Sequence, residues 1–239
     1  MDIVQITVNL FFLRFPIGHV YLWRDPDGLT IVDAGAPGSG PRIAEAIRGL
    51  GHDLREVRRL VLTHGHQDHV GGAADIASWG DIEVIAHRAD APVIRGEVVP
   101  PAPDLADFER PIFDAVSVQL PAEPPAPVRV DREVDQGDVL DVGEGAVVLA
   151  VPGHTAGGIA LHLPDWKVVF TGDIAARNPR SRDPEAPVFP GLFNVDRAEA
   201  LASYRRLAAL DVEIACFGHG EPLTAAAGER MRAAGDRMP

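Results

Sequence analysis

The segment Thr63-His64-Gly65-His66-Gln67-Asp68-His69 constrains this chain more than any other feature, because three histidines and one aspartate fall within six positions after an apolar run. At this composition a chance His-x-His-x-Asp-His match arises on the order of once per thousand sequences, so the cluster needs a chemical reason. In an extended segment His64 and His66 point the same way, whereas Asp68 and His69 open the next helix and can turn toward a second point. One loop can therefore serve two adjacent metal ions. Imidazole nitrogen and carboxylate oxygen suit zinc, and they also admit iron, manganese or cobalt.

A two-metal site needs ligands from elsewhere, and three further segments supply them: Pro152-Gly153-His154-Thr155, Thr171-Gly172-Asp173 and Gly218-His219-Gly220, each after an apolar run. The order and context of these segments over 57–222 resemble the metallo-β-lactamase superfamily. The resemblance implies that His64, His66 and His154 bind one metal ion, that Asp68, His69 and His219 bind the other, and that Asp173 bridges both. It makes Asp33, at the end of the run Thr30-Ile31-Val32, an outer group that orients the ligand loop. It implies an α/β fold, a four-layer αββα sandwich with the metals at one edge where two sheets meet. The implied activity is dinuclear metal-dependent hydrolysis by a bridging hydroxide, with Asp68 as the catalytic carboxylate that holds or receives its proton.

The rest of the pattern agrees with that architecture. Strands are expected over 3–9, 19–24, 29–33, 57–63 and 82–86, with helices over 38–50 and from Asp68. A second half repeats this grammar, with strands over 139–142, 147–151, 159–163, 167–171 and 213–217 and a helix over 196–210. Between the halves, the Pro-rich stretch 88–132 reads as a partly helical insertion and the best candidate for a lid. The 239 residues are expected to form a single domain around it.

Other residues carry weaker expectations. His19 opens a strand that passes near the metals in the family, and Arg177 and Phe193 follow the bridging aspartate, so all three are pocket candidates. His52 and His87 read as surface residues, and His162 as a structural residue on its strand. The lone cysteine, Cys216, sits in an apolar run and reads as a buried small hydrophobe.

Charge limits the partners. A net charge of −13 works against binding a polyanion, so a small-molecule substrate is expected and nucleic acid is not. No stretch reaches the roughly 18 apolar residues that span a bilayer, and the N-terminus lacks the basic start of a secretory signal, so a cytoplasmic location without membrane attachment is expected. Oligomeric state is left open, with a homodimer among the arrangements allowed.

Substrate is narrowed by exclusion. True metallo-β-lactamases have no bridging aspartate where this chain has Asp173, which disfavours β-lactams. Lactonases of the family place a tyrosine soon after that aspartate, where this chain has Ile174-Ala175-Ala176-Arg177. Glyoxalase II enzymes share the stretch from Gly153 to Asp173 but add a glutathione-binding region, and little chain follows His219. The expected substrate is a small ester, lactone, thioester or phosphodiester, with two divalent ions, zinc first and iron or manganese as alternatives. The alternative function is iron-dependent redox chemistry on the same fold, in the manner of a persulfide dioxygenase.

Overall fold

The structure is a computed structural model that describes residues 2–237. By internal contacts the chain falls into two compact units. The first comprises the chain to Pro100 together with Val118–Val134, and the second comprises Pro101–Ser117 with the chain from Asp135.

The first unit is built on a seven-stranded sheet whose strands follow one another in sequence order. Its opening half is an antiparallel meander of Asp2–Gln5, Leu10–Arg14, Val20–Asp25 and Gly28–Val32. Pro26 and Asp27 make the tight connection before Gly28, with proline fixing φ where the turn needs it. The second half is parallel, pairing Gly28–Val32 with Val57–Val61, Glu83–His87 and Arg132–Val134 in turn. Parallel neighbours need a crossover. The helix Gly40–Gly49 makes the first, and the helices Gln67–Val70 and Ala73–Ala77 lie within the second. Ile43, Ala46, Ile47, Ala73 and Ile76 from these helices join Leu22, Ile31, Leu60 and Val84 from the strands in one buried cluster. The parallel arrangement matters for function because it brings the carboxyl ends of three strands, just before Asp33, Thr63 and Asp90, to the same sheet edge.

The second unit holds a five-stranded sheet in the order Ile214–Cys216, Val168–Phe170, Ile159–Leu163, Ala146–Ala150, Val139–Leu140. Val168–Phe170 runs parallel to Ile214–Cys216, and two antiparallel steps give Ala146–Ala150 that same direction. The loops carrying His154, Asp173 and His219 therefore all leave one edge. A separate hairpin pairs Ala175–Arg177 with Val188–Pro190. Helices Arg197–Ala208 and Ala227–Gly235 cover the sheet through Ala200, Tyr204, Leu207, Ala227 and Met231. Asp196 caps the first of them by accepting from the Glu199 N–H, at 2.9 Å.

The 88–132 stretch separates into three parts. Ala91–Ile94 is a short helix with Ala91 and Ile94 buried in the first unit. Residues 101–117 form an arm of the second unit that ends in the helix Arg110–Ser117. Residues 118–134 return to the first unit, where Val128 joins its core and Arg132–Val134 completes its sheet.

Cys216 is buried as expected, and burial pushes its thiol well above the usual value. Because the thiolate is the reactive form, Ellman's reagent is expected to label the native protein only as fast as the protein unfolds. Rapid labelling under native conditions would contradict this placement.

Among the described residues, no helix is long and apolar enough to cross a membrane.

Candidate metal centre

In the first unit, Asp33 ends its strand with φ at 62°, a left-handed conformation that aspartate tolerates better than most residues. Its buried carboxylate accepts three hydrogen bonds. Oδ1 takes the Thr63 N–H at 2.8 Å, and Oδ2 takes the Thr63 hydroxyl at 2.8 Å and the His69 Nδ1–H at 2.9 Å. The Thr63 hydroxyl spends its only proton on Asp33, so at 3.0 Å it accepts from His64 Nδ1. One carboxylate thus sets the tautomer of two imidazoles, directly for His69 and through Thr63 for His64. Both rings are left with Nε2 as the lone-pair donor atom, the arrangement a metal ligand requires.

The four side chains of the cluster are close together. The His64 ring lies 4.8 Å from that of His66 and 4.1 Å from that of His69, centroid to centroid. Asp68 Oδ2 stands 3.8 Å from His69 Nε2. His66 precedes the helix Gln67–Val70, and its carbonyl accepts from His69 and Val70, which turns Asp68 and His69 away from the extended segment. Gly18 has φ at 62° and approaches the Asp68 carbonyl so closely that a Cβ would stand 1.8 Å from it, so no larger residue fits there.

In the second unit, one atom organises the site. Asp173 Oδ2 lies 3.0 Å from His219 Nε2 and 3.6 Å from His154 Nε2. A single carboxylate oxygen is shared by two imidazoles that reach it from different loops. His154 and His219 each follow a glycine, and the His154 carbonyl is tied to the Val195 N–H at 3.4 Å.

The other candidates divide. His19 is buried and meets Phe12 edge to face, at 4.8 Å between centroids, next to the Gly18 that touches Asp68. Arg177 does not offer its guanidinium to a pocket. It is 2% exposed, and the carbonyls of Asp183, Pro184, Ala186 and Glu221 occupy its N–H groups at 2.9 to 3.2 Å. A planar fork with several donors suits this internal stapling of loops. Burial lowers its pKa, and the neighbouring Arg230 adds to the effect. Phe193 is half-buried in the loop after the hairpin, also with positive φ.

His87 is buried rather than at the surface, because its Nδ1 accepts from the Ala89 N–H at 3.1 Å in the tight turn that follows its strand. His52 pairs with Glu56 at 3.0 Å, and His162 is half-buried on its strand, where burial lowers its pKa. The sequence reading missed Asp90. Its buried Oδ2 accepts the Gly65 N–H at 2.8 Å and so pins the loop between His64 and His66. The available signal was an aspartate shortly after the end of a parallel strand.

The family model of the metallo-beta-lactamase superfamily matches residues 13–219. The chain belongs to this superfamily. It is a metal-dependent hydrolase with the metallo-β-lactamase fold, and its His/Asp clusters are of a composition and spacing that could hold metal ions. It is 31% identical over 235 residues to the probable metallo-hydrolase YflN of Bacillus subtilis (strain 168), covering 92% of this chain and 83% of that protein. It is 32% identical over 194 residues to a hydroxyacylglutathione hydrolase of Cereibacter sphaeroides, covering 80% of this chain but only 56% of that enzyme. Among solved structures, a metallo-β-lactamase of Cronobacter sakazakii superposes with a TM-score of 0.71 at 22% identity, covering 99% of this chain and 92% of that one. At that identity the likeness concerns the fold alone.

Proposed function

We propose that this superfamily member is a dinuclear enzyme that hydrolyses a small ester, lactone, thioester or phosphodiester. The reading assigns His64, His66 and His154 to one divalent ion, Asp68, His69 and His219 to the second, and Asp173 to both. The observation that carries it is the shared Asp173 Oδ2, within 3.6 Å of imidazole nitrogens that the assignment gives to different ions. The donor set fits zinc, since it is made only of imidazole nitrogens and carboxylate oxygens with two tautomers already fixed for ligation.

Two bound divalent ions would supply Lewis-acid polarisation of the scissile group and a water of lowered pKa. The protein's own contribution is placement. Asp33 and Thr63 hold His64 and His69 in one tautomer, and Asp90 fixes the loop between the first two histidines. The reading gives Asp68, 12% exposed at its side chain, the task of holding or receiving the proton of that water. Losing a residue that orients a ligand in this way typically costs about 10–100-fold in metal affinity or activity.

The test is elemental analysis of purified protein together with assays on one ester, lactone, thioester, phosphodiester and β-lactam. Two zinc ions per chain and chelator-sensitive turnover of at least one of the first four classes are expected. Stoichiometric iron with oxygen uptake would instead establish the redox alternative, and a single ion per chain would end the dinuclear assignment.

A further inference from the structure

The loop 191–196 links the two ligand-bearing segments of the second unit. At one end Gly191 lies so close to Asp173 that a Cβ would stand 1.6 Å from its carbonyl oxygen, and the Gly191 N–H donates to Ile174 at 3.0 Å. At the other end Val195 donates to the His154 carbonyl at 3.4 Å and Asp196 to that of Gly153 at 2.9 Å. Between these anchors stands Phe193, with φ at 62°. A bulky aromatic residue in that region is a genuine outlier, held only where its surroundings over-determine it, and such residues gather at functional positions.

Glu109, from the 101–117 arm, supplies the holding contact. Its carboxylate is buried, with Oε1 accepting the Phe193 N–H at 3.2 Å and Oε2 accepting the Arg197 guanidinium and the Ala106 N–H at 2.8 Å each. Burial alone would raise its pKa, but these three donors outweigh that and hold it below the usual range. Two more contacts tie arm to loop, from Asp104 N–H to the Asn194 carbonyl at 2.8 Å and from Arg197 to the Asp104 carbonyl at 2.7 Å. The arm then carries Phe113 against Phe193, edge to face, with centroids 5.2 Å apart. Both residues are half-buried, so neither is fully covered by its neighbours.

We propose that the Phe113–Phe193 pair is the seat for an uncharged, apolar acyl or aryl group of the substrate, with the Glu109–Arg197 ion pair as its latch. This rests on the hydrolase reading above and narrows it to apolar esters, lactones or thioesters, away from phosphodiesters. Two of the nearby arginines point the same way, while Arg110 of the arm faces Asp107 at 3.7 Å. Arg197 is engaged by Glu109 and Arg177 by four carbonyls, so neither guanidinium is offered to a phosphate. A chain of net charge −13 also repels an anionic substrate.

The experiment measures binding and turnover separately on the metal-loaded protein. Octanamide and acetamide, neutral and not hydrolysed, are titrated by calorimetry into wild type, Phe113→Ala and Phe193→Ala, with metal content measured for each. Octanamide binding is expected to weaken by about tenfold or more in both variants, the loss of one ring's buried apolar surface, with metal content unchanged. In parallel, the kcat/KM preference of wild type for p-nitrophenyl octanoate over the acetate is expected to collapse through KM. Phe113 lies on a helix without buried residues, so its variant folds even if the Phe193 variant does not. Equal octanamide affinity in wild type and Phe113→Ala, or preferred turnover of bis(p-nitrophenyl) phosphate, overturns the proposal. Octanamide binding that depends on both rings, in a protein that hydrolyses none of the substrate classes, upholds the seat and overturns the hydrolase reading alone.

Discussion

Asp173→Ala is expected to lower hydrolysis by about three orders of magnitude, the several kcal/mol of stabilisation a properly held ion provides. Ion content should fall from two per chain to one or none. The cause is local. Asp173 Oδ2 lies within 3.6 Å of both His154 Nε2 and His219 Nε2, and alanine removes it without disturbing the backbone carbonyl against which Gly191 lies. Asp173→Asn keeps one oxygen and loses the charge, so it should retain one ion and fall between alanine and wild type. Elemental analysis and kcat at saturating metal check both. Two tightly bound ions in the alanine variant would remove the bridging role.

Asp33→Asn should weaken metal affinity by about 10–100-fold although residue 33 touches no ion. Asparagine accepts φ at 62° without new strain, so the backbone survives. The hydrogen bonds do not. Asp33 Oδ1 faces one donor and Oδ2 faces two. With an amide in place of the carboxylate, one side must present N–H groups to donors. If that side is Oδ2, His69 relieves the conflict by moving its proton to Nε2, which removes the lone pair offered to the ion. If it is Oδ1, the buried Thr63 N–H is left unsatisfied at about 1–3 kcal/mol. Competition titration against a chelator measures the first outcome and thermal melting of metal-free protein the second. Wild-type values for both would show that the Asp33 carboxylate is not needed for the tautomers.

What the sequence revealed, and what it hid, follows from the range of the interactions. The candidate ligand segments were legible because each follows an apolar run, and parallel strands bring the ends of such runs to one edge. Asp33 was legible through the family resemblance, which gave it the role of orienting the ligand loop. The 3–9 run was misread as one strand because its alternation continues through a break. Thr7 accepts the backbone N–H groups of Asn9 and Leu10 and turns the chain between Asp2–Gln5 and Leu10–Arg14. The helix Ala227–Gly235 gave a faint signal because Gly228 and Gly235 weaken its propensity and only a few buried alanines and one methionine mark its inner face. Arg177 looked like a pocket residue because sequence shows its charge but not the carbonyls that surround it. The Glu109 latch was invisible, since its partners Phe193 and Arg197 lie 84 and 88 positions away.

The path of the chain between the two units sets a limit on how the molecule can be taken apart. The backbone leaves the first unit after Pro100, contributes an arm to the second, returns at Val118 to finish the first unit's sheet, and leaves again at Asp135. Neither unit is a continuous stretch of polypeptide. A cut after Val134 would give an N-terminal fragment with a surplus arm and a C-terminal fragment whose Arg197 and Phe193 had lost Glu109 and Phe113. Fragment exchange with relatives would have to move the arm and the 191–196 loop together, because each is shaped by the other.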